Sequence, residues 1–265
     1  MNKPIALLTD FGLRDPYVGV MKGVIIGINP SATIVDVCHE IAPGDIPEAA
    51  FCLASALPYF PEETIFAAVV DPSVGTERRA VAASMGGRIV ICPDNGILTW
   101  AIRDHGLDRA VEITDSRFFL PNVSDTFHGR DVFAPVAANL SKGAALTDLG
   151  PEINDLAAIE IPEVATSDRS IQGEIIYVDR FGNLVSNISR SLAEEWLKSG
   201  VSVRVHVGSG EIHGLSRAYA DVPKGHPVAL FGSVDLLEIA VNGGSAVEMF
   251  AVPVGSRVLV HQLPE

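Results

Sequence analysis

Basic charge is in short supply in this chain. Its 19 Lys and Arg residues face 33 Asp and Glu, for a formal net charge of −14, and no stretch gathers the cations into a patch. Sequence-independent nucleic-acid binding needs clustered cations to displace the counterions of the phosphates, so that function class is excluded. Cysteine is scarcer still. Cys38, Cys52 and Cys92 stand singly in apolar surroundings, without the C-x-x-C spacing of zinc or redox sites, and read as buried thiols. His39, His105, His206, His213, His226 and His261 form no spaced metal motif with the carboxylates, so no metal site is expected. No apolar run approaches the ~18 residues of a membrane span. The amino terminus, MNKPIALLTDFG, meets Asp10 too early for the hydrophobic region of a signal peptide. The expectation is a cytoplasmic protein with neither a membrane nor a nucleic-acid partner.

What is present is the composition of a folded protein. Of 265 residues, 48% are hydrophobic and 20% charged, enough to bury a substantial core without disulfides. Ile5 to Leu8, Thr33 to Val37 and Thr64 to Val70 are short apolar runs that suit buried parallel strands. Between them, Tyr17 to Ile28 predicts a helix stopped by Asn29 and Pro30. Asp45 to Phe60 predicts another, with Asp45 as N-cap and Pro61 as the stop. Ala80 to Met85 and Arg88 to Cys92 read as a hairpin about Gly86-Gly87. A helix over Ile97 to Asp104, a strand over Ala110 to Ile113 and a helix over Asp131 to Leu140 complete an α/β rhythm.

From about Gly150 the pattern changes. Gln172 to Val178, Ser202 to Val207, Glu211 to Leu215, Val228 to Phe231, Leu236 to Val241 and Arg257 to Gln262 read as strands separated by Gly or Pro, with one helix over Leu192 to Lys198. This spacing favours a small antiparallel barrel or sandwich. The boundary falls within 150–170, giving an N-terminal α/β domain over 1–160 with a central, largely parallel sheet. A smaller C-terminal antiparallel β-barrel domain covers 161–265.

In open α/β sheets, binding residues gather beyond the carboxyl ends of the strands, and Asp10, Asp71 and Asp94 all fall there. Asp71, Arg78 and His128 contain the parts of a water-activating site: a carboxylate base, a guanidinium to hold its charge and an imidazole as a second proton partner. Each also has a plain reading, as a turn cap, a solvated strand residue and a packed loop histidine. Asp10 suits a turn at a strand end or two hydrogen bonds from a ribose diol. In YVDRFGNLVSNI, Asp179, Phe181 and Asn183 interrupt an apolar strand with a carboxylate, an aromatic and an amide, which fits binding as well as turn-making. Ser233 follows a strand and suits a turn or a carboxylate contact. No G-x-S-x-G, Walker A or G-x-G-x-x-G stands in its required context.

Taken together, LLTDFG (7–12), APGDIPEAAF (42–51), VVDPSVGTERR (69–79), PDNG (93–96), TFHGRDVFAP (126–135), VDRFGNLVSNI (178–188) and FGSVDLLEIAVNGGSA (231–246) resemble the S-adenosylmethionine hydroxide adenosyltransferases. These are S-adenosylmethionine hydrolases related to the fluorinase and chlorinase enzymes. The resemblance covers essentially the whole chain, with the motifs in the family's order. It implies hydrolysis of S-adenosyl-L-methionine to adenosine and L-methionine without a cofactor, and a homotrimer with active sites between subunits. It places the catalytic Asp-Arg-His triad on Asp71, Arg78 and His128 and the ribose carboxylate on Asp10. It gives Asp179 the substrate ammonium, Phe181 and Asn183 the adenine, and Ser233 the methionine carboxylate. Two other activities stay open, a halogenase and a non-catalytic binder of adenosine or S-adenosylmethionine. Against the halogenase stand the triad itself and Gly129, where the fluorinase has a halide-contacting serine. Val234 and Val241 stand where halogenases carry arginines, which leaves open what holds the methionine carboxylate.

Overall fold

Strand β1 (Ile5–Thr9) is the axis of the first of two units in a computed structural model that describes residues 3–197 and 202–263. The units cover Met1–Glu160 and Ile161–Glu265. Around β1 the chain adds α1 (Tyr17–Ile28), β2 (Ile34–Cys38), α2 (Ile46–Ala56), β3 (Ile65–Val69), β4 (Ala80–Met85), β5 (Arg88–Pro93), α3 (Thr99–His105), β6 (Arg109–Glu112), α4 (Ala134–Ser141) and β7 (Glu152–Ile153). The sheet order is β2-β1-β3-β5-β4-β6-β7. β1, β2, β3 and β5 pair in parallel, and β6, antiparallel to the reversed β4, runs with them. The sheet is therefore mixed and largely parallel. Helices α1 and α4 pack together, as do α2 and α3. β1 and β3 are buried throughout, which is why both read as continuous apolar runs rather than alternating ones.

Local chemistry accounts for most boundaries. Asp45 caps α2, its side chain accepting the N–H of Glu48. That helix gives way at Leu57 to a 3-10 turn over Leu57–Tyr59, short of the expected Phe60, because Pro58 has no N–H for the ladder. Gly86 and Gly87 take φ of 53° and 76°, the positive values a two-residue hairpin turn requires. The helix expected over Asp131 to Leu140 is instead a π-helical turn, Gly129–Phe133, leading into α4. Pro135 cannot donate to the Asp131 carbonyl, which accepts the N–H of Leu120 instead.

The second unit comprises β8 (Ala165–Thr166), β9 (Ser170–Val178), β10 (Leu184–Ser189), α5 (Arg190–Trp196), β11 (Val203–Val207), β12 (Gly210–His213), β13 (Pro227–Phe231), β14 (Leu236–Val241), α6 (Ala246–Phe250) and β15 (Arg257–Gln262). Every named pair is antiparallel, in the order β12-β11-β15-β9-β10-β14-β13. Just past β12, the N–H of Ser216 donates to the Ala229 carbonyl of β13, so the two ends of the order meet and the sheet is a nearly closed barrel. Strand β10 and helix α6 lie outside the expected set. α6 has only five residues and rests on a cap, Ser245 accepting the N–H of Glu248, too short for a periodic pattern to register. Lys198, the expected end of the other helix, lies outside the described residues.

Candidate active site

β1 and β3 are parallel neighbours, with Thr9 opposite Val69, so the chain leaves both at the same end, into Asp10 and Asp71. β2 flanks β1 on the other side. Connections thus diverge to either side at this point, the switch position where open α/β sheets bind ligands. Asp10 Oδ2 accepts the N–H of Gly44 at 2.8 Å. Burial lifts its pKa above the usual carboxylate value, opposed by backbone donors and reinforced by the charge of Asp71.

Arg78 grips Asp71. Its Nε lies 3.0 Å from both carboxylate oxygens and its Nη2 2.5 Å from Oδ2. Both side chains are nearly buried, 9% and 5% exposed, so water screens this pair far less than a surface one. The same Nη2 lies 2.7 Å from His128 Nδ1. A guanidinium is only a donor, so Nδ1 accepts and the proton of the neutral imidazole sits on Nε2. Burial, with the adjacent Arg78 charge, holds the His128 pKa below its ordinary 6.5. One arginine thus orients a carboxylate on one side and a neutral imidazole on the other. Asp71 and His128 line a cavity of about 420 Å³, walled by Phe11, Tyr17 and Phe127, whose rings meet edge to face at 5.2–5.9 Å.

Loop contacts that the residue patterns did not reveal hold the triad. Asn95 Nδ2 donates to the carbonyl of Val70, immediately before Asp71. Its neighbour Asp94 takes the N–H of Ala157 and two bonds from Arg79. The PDNG turn therefore fastens both ends of the 71–79 loop. On either side of His128 in the chain, the buried Asp131 carboxylate accepts the Ser124 N–H and hydroxyl and pairs with Arg130, its pKa held low by those donors despite burial. Gly75 joins the two loops. It has φ of 79°, and a Cβ there would come within 2.3 Å of the Asp125 carbonyl oxygen.

Asp179, Phe181, Asn183 and Ser233 also converge, in the second unit, where they line a cavity of about 610 Å³ with Tyr219, Glu238 and Val241. Asp179 both turns the chain and faces the cavity. Its Oδ1 accepts the N–H groups of Phe181 and Asn183, and its Oδ2 the Asn183 amide. That turn presents the Phe181 ring, 76% exposed. Residue reasoning missed Tyr219 and Glu238. The available signal was a lone carboxylate inside LLEIAV, an otherwise apolar strand.

Comparison with known proteins gives a family match for each half of the chain. The family model for the SAM hydroxide adenosyltransferase N-terminal domain matches residues 5–150, and that for the C-terminal domain residues 173–259. The chain is 41% identical to a protein of Thermus thermophilus named (R)-S-adenosyl-L-methionine hydrolase, over 97% of this chain and 98% of the relative. It is 39% identical to one of the same name from Salinispora arenicola, over 97% of each. Identity to a fluorinase of Nocardia brasiliensis is 30%, over 97% of this chain and 96% of the relative. Among solved structures, an uncharacterized conserved protein from Thermotoga maritima superposes with a TM-score of 0.92 at 37% identity, covering 97% of this chain and 99% of the other. With both halves matched in order, the chain belongs to the SAM hydroxide adenosyltransferase family.

Proposed function

We propose that this protein hydrolyses S-adenosyl-L-methionine to adenosine and L-methionine, using water held by Asp71, Arg78 and His128. The observation that carries the reading is the bridging by one guanidinium of Asp71 and His128, two residues that line the same cavity. The water oxygen bonds to the 5′ carbon as the carbon–sulfur bond opposite breaks. The electron pair of that bond passes to the sulfonium, which leaves as the neutral thioether of methionine. The leaving group therefore needs no general acid, and the substrate brings its own activation without a cofactor. The requirement is an aligned nucleophile that loses a proton. Asp71 takes that proton, Arg78 stabilises the developing hydroxide, and His128 orients the water through its Nε2–H. Asp10 binds the ribose diol, Phe181 and Asn183 the adenine, and Asp179 and Ser233 the methionine end. The working form is a homotrimer with active sites between subunits. The relatives are named for the (R) sulfonium, and we extend that preference to this chain.

Packing disfavours the halogenase reading. A Cβ on Gly129 would lie 3.1 Å from the Phe11 and Phe127 rings and 3.3 Å from Met21 Sδ, so a halide-binding serine fits there only if these side chains shift by a few tenths of an ångström. The assembled triad, in turn, disfavours a mere binder. Incubation with S-adenosyl-L-methionine in ¹⁸O-water tests all three readings. Label in the adenosine 5′-hydroxyl supports hydrolysis; a 5′-halo product on adding halide, or no product at all, overturns it.

A further inference from the structure

Two buried polar residues that the triad does not use meet at the carboxyl end of β1. Thr9 is fully buried and His39 only 4% exposed, although β1 is otherwise wholly apolar. Leu8 of β1 pairs with Cys38 of β2. That register brings the next residues, Thr9 and His39, together at the end of the sheet that leads into Asp10, and Thr9 Oγ1 lies 2.8 Å from His39 Nδ1. Burying such groups is costly unless they are hydrogen-bonded, and here they satisfy one another.

The contacts continue in both directions. Toward the surface, His39 Nε2 approaches Asp36 Oδ1 to 3.0 Å without the alignment of a full hydrogen bond, and no other group bonds it among the described residues. Lys22 Nζ of α1 donates to the other oxygen, Asp36 Oδ2, at 2.7 Å. Burial alone would raise the Asp36 pKa, but the donors Lys22 and His39 outweigh it and hold the value below the ordinary 3.8. An ionised Asp36 faces the Nε2–H of His39, so Nδ1 accepts the hydroxyl proton of Thr9. Toward the site, Thr9 Oγ1 accepts the N–H of Phe11 at 3.2 Å, and the His39 carbonyl accepts the N–H of Gly12 at 2.7 Å. The two residues after Asp10 are thus both tied to the Thr9–His39 pair.

We propose that His39, braced by Asp36, is a positioning residue that fixes the Asp10 loop through the Thr9 hydroxyl and so sets recognition of the substrate's ribose diol. The inference deepens the hydrolase reading and rests on it, since it takes Asp10 as the diol carboxylate. His39 is not among the residues that line the first cavity, whereas Phe11 is, so its effect passes through the loop. A carboxylate that receives two hydroxyl groups works only when held to within about 0.5 Å of its productive position. Gly44 N–H holds the Asp10 carboxylate itself; the Thr9–His39 pair holds the backbone that carries it. Valine would fill the space of Thr9 but leave both the Phe11 N–H and His39 Nδ1 unpaired, so packing alone does not account for the threonine.

The test titrates adenosine and 2′-deoxyadenosine into the wild type, His39→Ala, Thr9→Val, Thr9→Ser and Asp36→Ala, and follows steady-state hydrolysis of S-adenosyl-L-methionine by each. The wild type should prefer adenosine. His39→Ala and Thr9→Val should each reduce that preference about 10-fold or more, as for loss of a hydrogen bond to a charged group, and the loss should fall on KM rather than kcat. Thr9→Ser, which keeps the hydroxyl, should retain the wild-type preference. Asp36→Ala, at a half-exposed position of β2, should shift it in the same direction by a smaller factor. A merely structural role would lower the Tm and leave the ratio alone. An unchanged ratio in His39→Ala, Thr9→Val or Asp36→Ala therefore overturns the proposal, as does a wild type that binds both nucleosides equally. If His39→Ala does not fold, Thr9→Val, which keeps the volume, decides in its place. Failure of the hydrolase reading is separable, because the nucleoside preference is read from binding, whereas that reading fails if the wild type forms no labelled adenosine in ¹⁸O-water.

Discussion

At the scale of single residues, Arg78 has the most consequential geometry. Its planar fork meets both oxygens of Asp71 and still reaches His128, a reach that an ammonium cannot reproduce. Arg78→Lys should therefore lower kcat by about 10²-fold or more although the charge is kept; near-normal turnover in a steady-state assay would show that charge alone suffices. His128 gives a pH prediction. Its pKa is depressed, so the neutral form that accepts from Arg78 persists below pH 6.5 and is lost only as pH falls through the lowered value. Protonation would set a second cation against the guanidinium. The kcat profile should thus be flat around neutrality with an acid limb below that ordinary value, and His128→Asn should remove the limb. Residue types and spacing supplied Asp71, Arg78 and His128 as candidates, but each kept a plain reading. That one guanidinium holds the other two is a fact of loop geometry, which residue types do not encode. The family's ordered motifs, rather than local chemistry, tipped the balance.

At the scale of elements, the strands and turns of the first unit were readable because their chemistry is local. Buried parallel strands are continuous apolar runs, Gly86-Gly87 makes a hairpin, and Asp45 caps α2. Asp45→Ala should destabilise the protein by about 1 kcal/mol, read as a lowered Tm, since it removes one cap bond. The π-helical turn at Gly129–Phe133 was not readable. It depends on Pro135 releasing the Asp131 carbonyl, which Leu120 in the preceding loop then uses, a non-local exchange. β10 went unrecognised because Ser186 and Asn187 break its apolar pattern. Their side chains serve specific contacts, among them Ser186 with Leu237 O and Asn187 with Glu174 N. Loop coupling gives a further prediction. Gly75→Ala meets both a positive φ and the Asp125 carbonyl, so it should cost about 1–3 kcal/mol and depress kcat as well, because it separates the Asp71 loop from the His128 loop. A variant with a lowered Tm but unchanged kcat would show that this contact is structural only.

At the scale of the whole molecule, the change of pattern near Gly150 reflects a real change of architecture, from a sheet covered by helices to a nearly closed antiparallel barrel. The cavities of the two units differ in chemical character. The first is aromatic, with Asp71 and His128, bridged by Arg78, on its wall; the second is acidic and without a cation among its described lining. The proposed homotrimer should sediment at three times the mass of the chain, and a monomer that turns over at full rate would remove subunit-shared sites from the account. The acidic second cavity was not legible in the overall charge of −14, because net charge does not say which carboxylates are buried.

The central claim is that Asp71, oriented by Arg78, activates the water that attacks the 5′ carbon. Its most direct test is single-turnover hydrolysis of S-adenosyl-L-methionine in ¹⁸O-water by Asp71→Asn, with folding checked by thermal melting. The account predicts labelled adenosine from the wild type and a rate about 10²–10⁴-fold lower in the variant. A folded Asp71→Asn protein that releases labelled adenosine within a few-fold of the wild-type rate would contradict it.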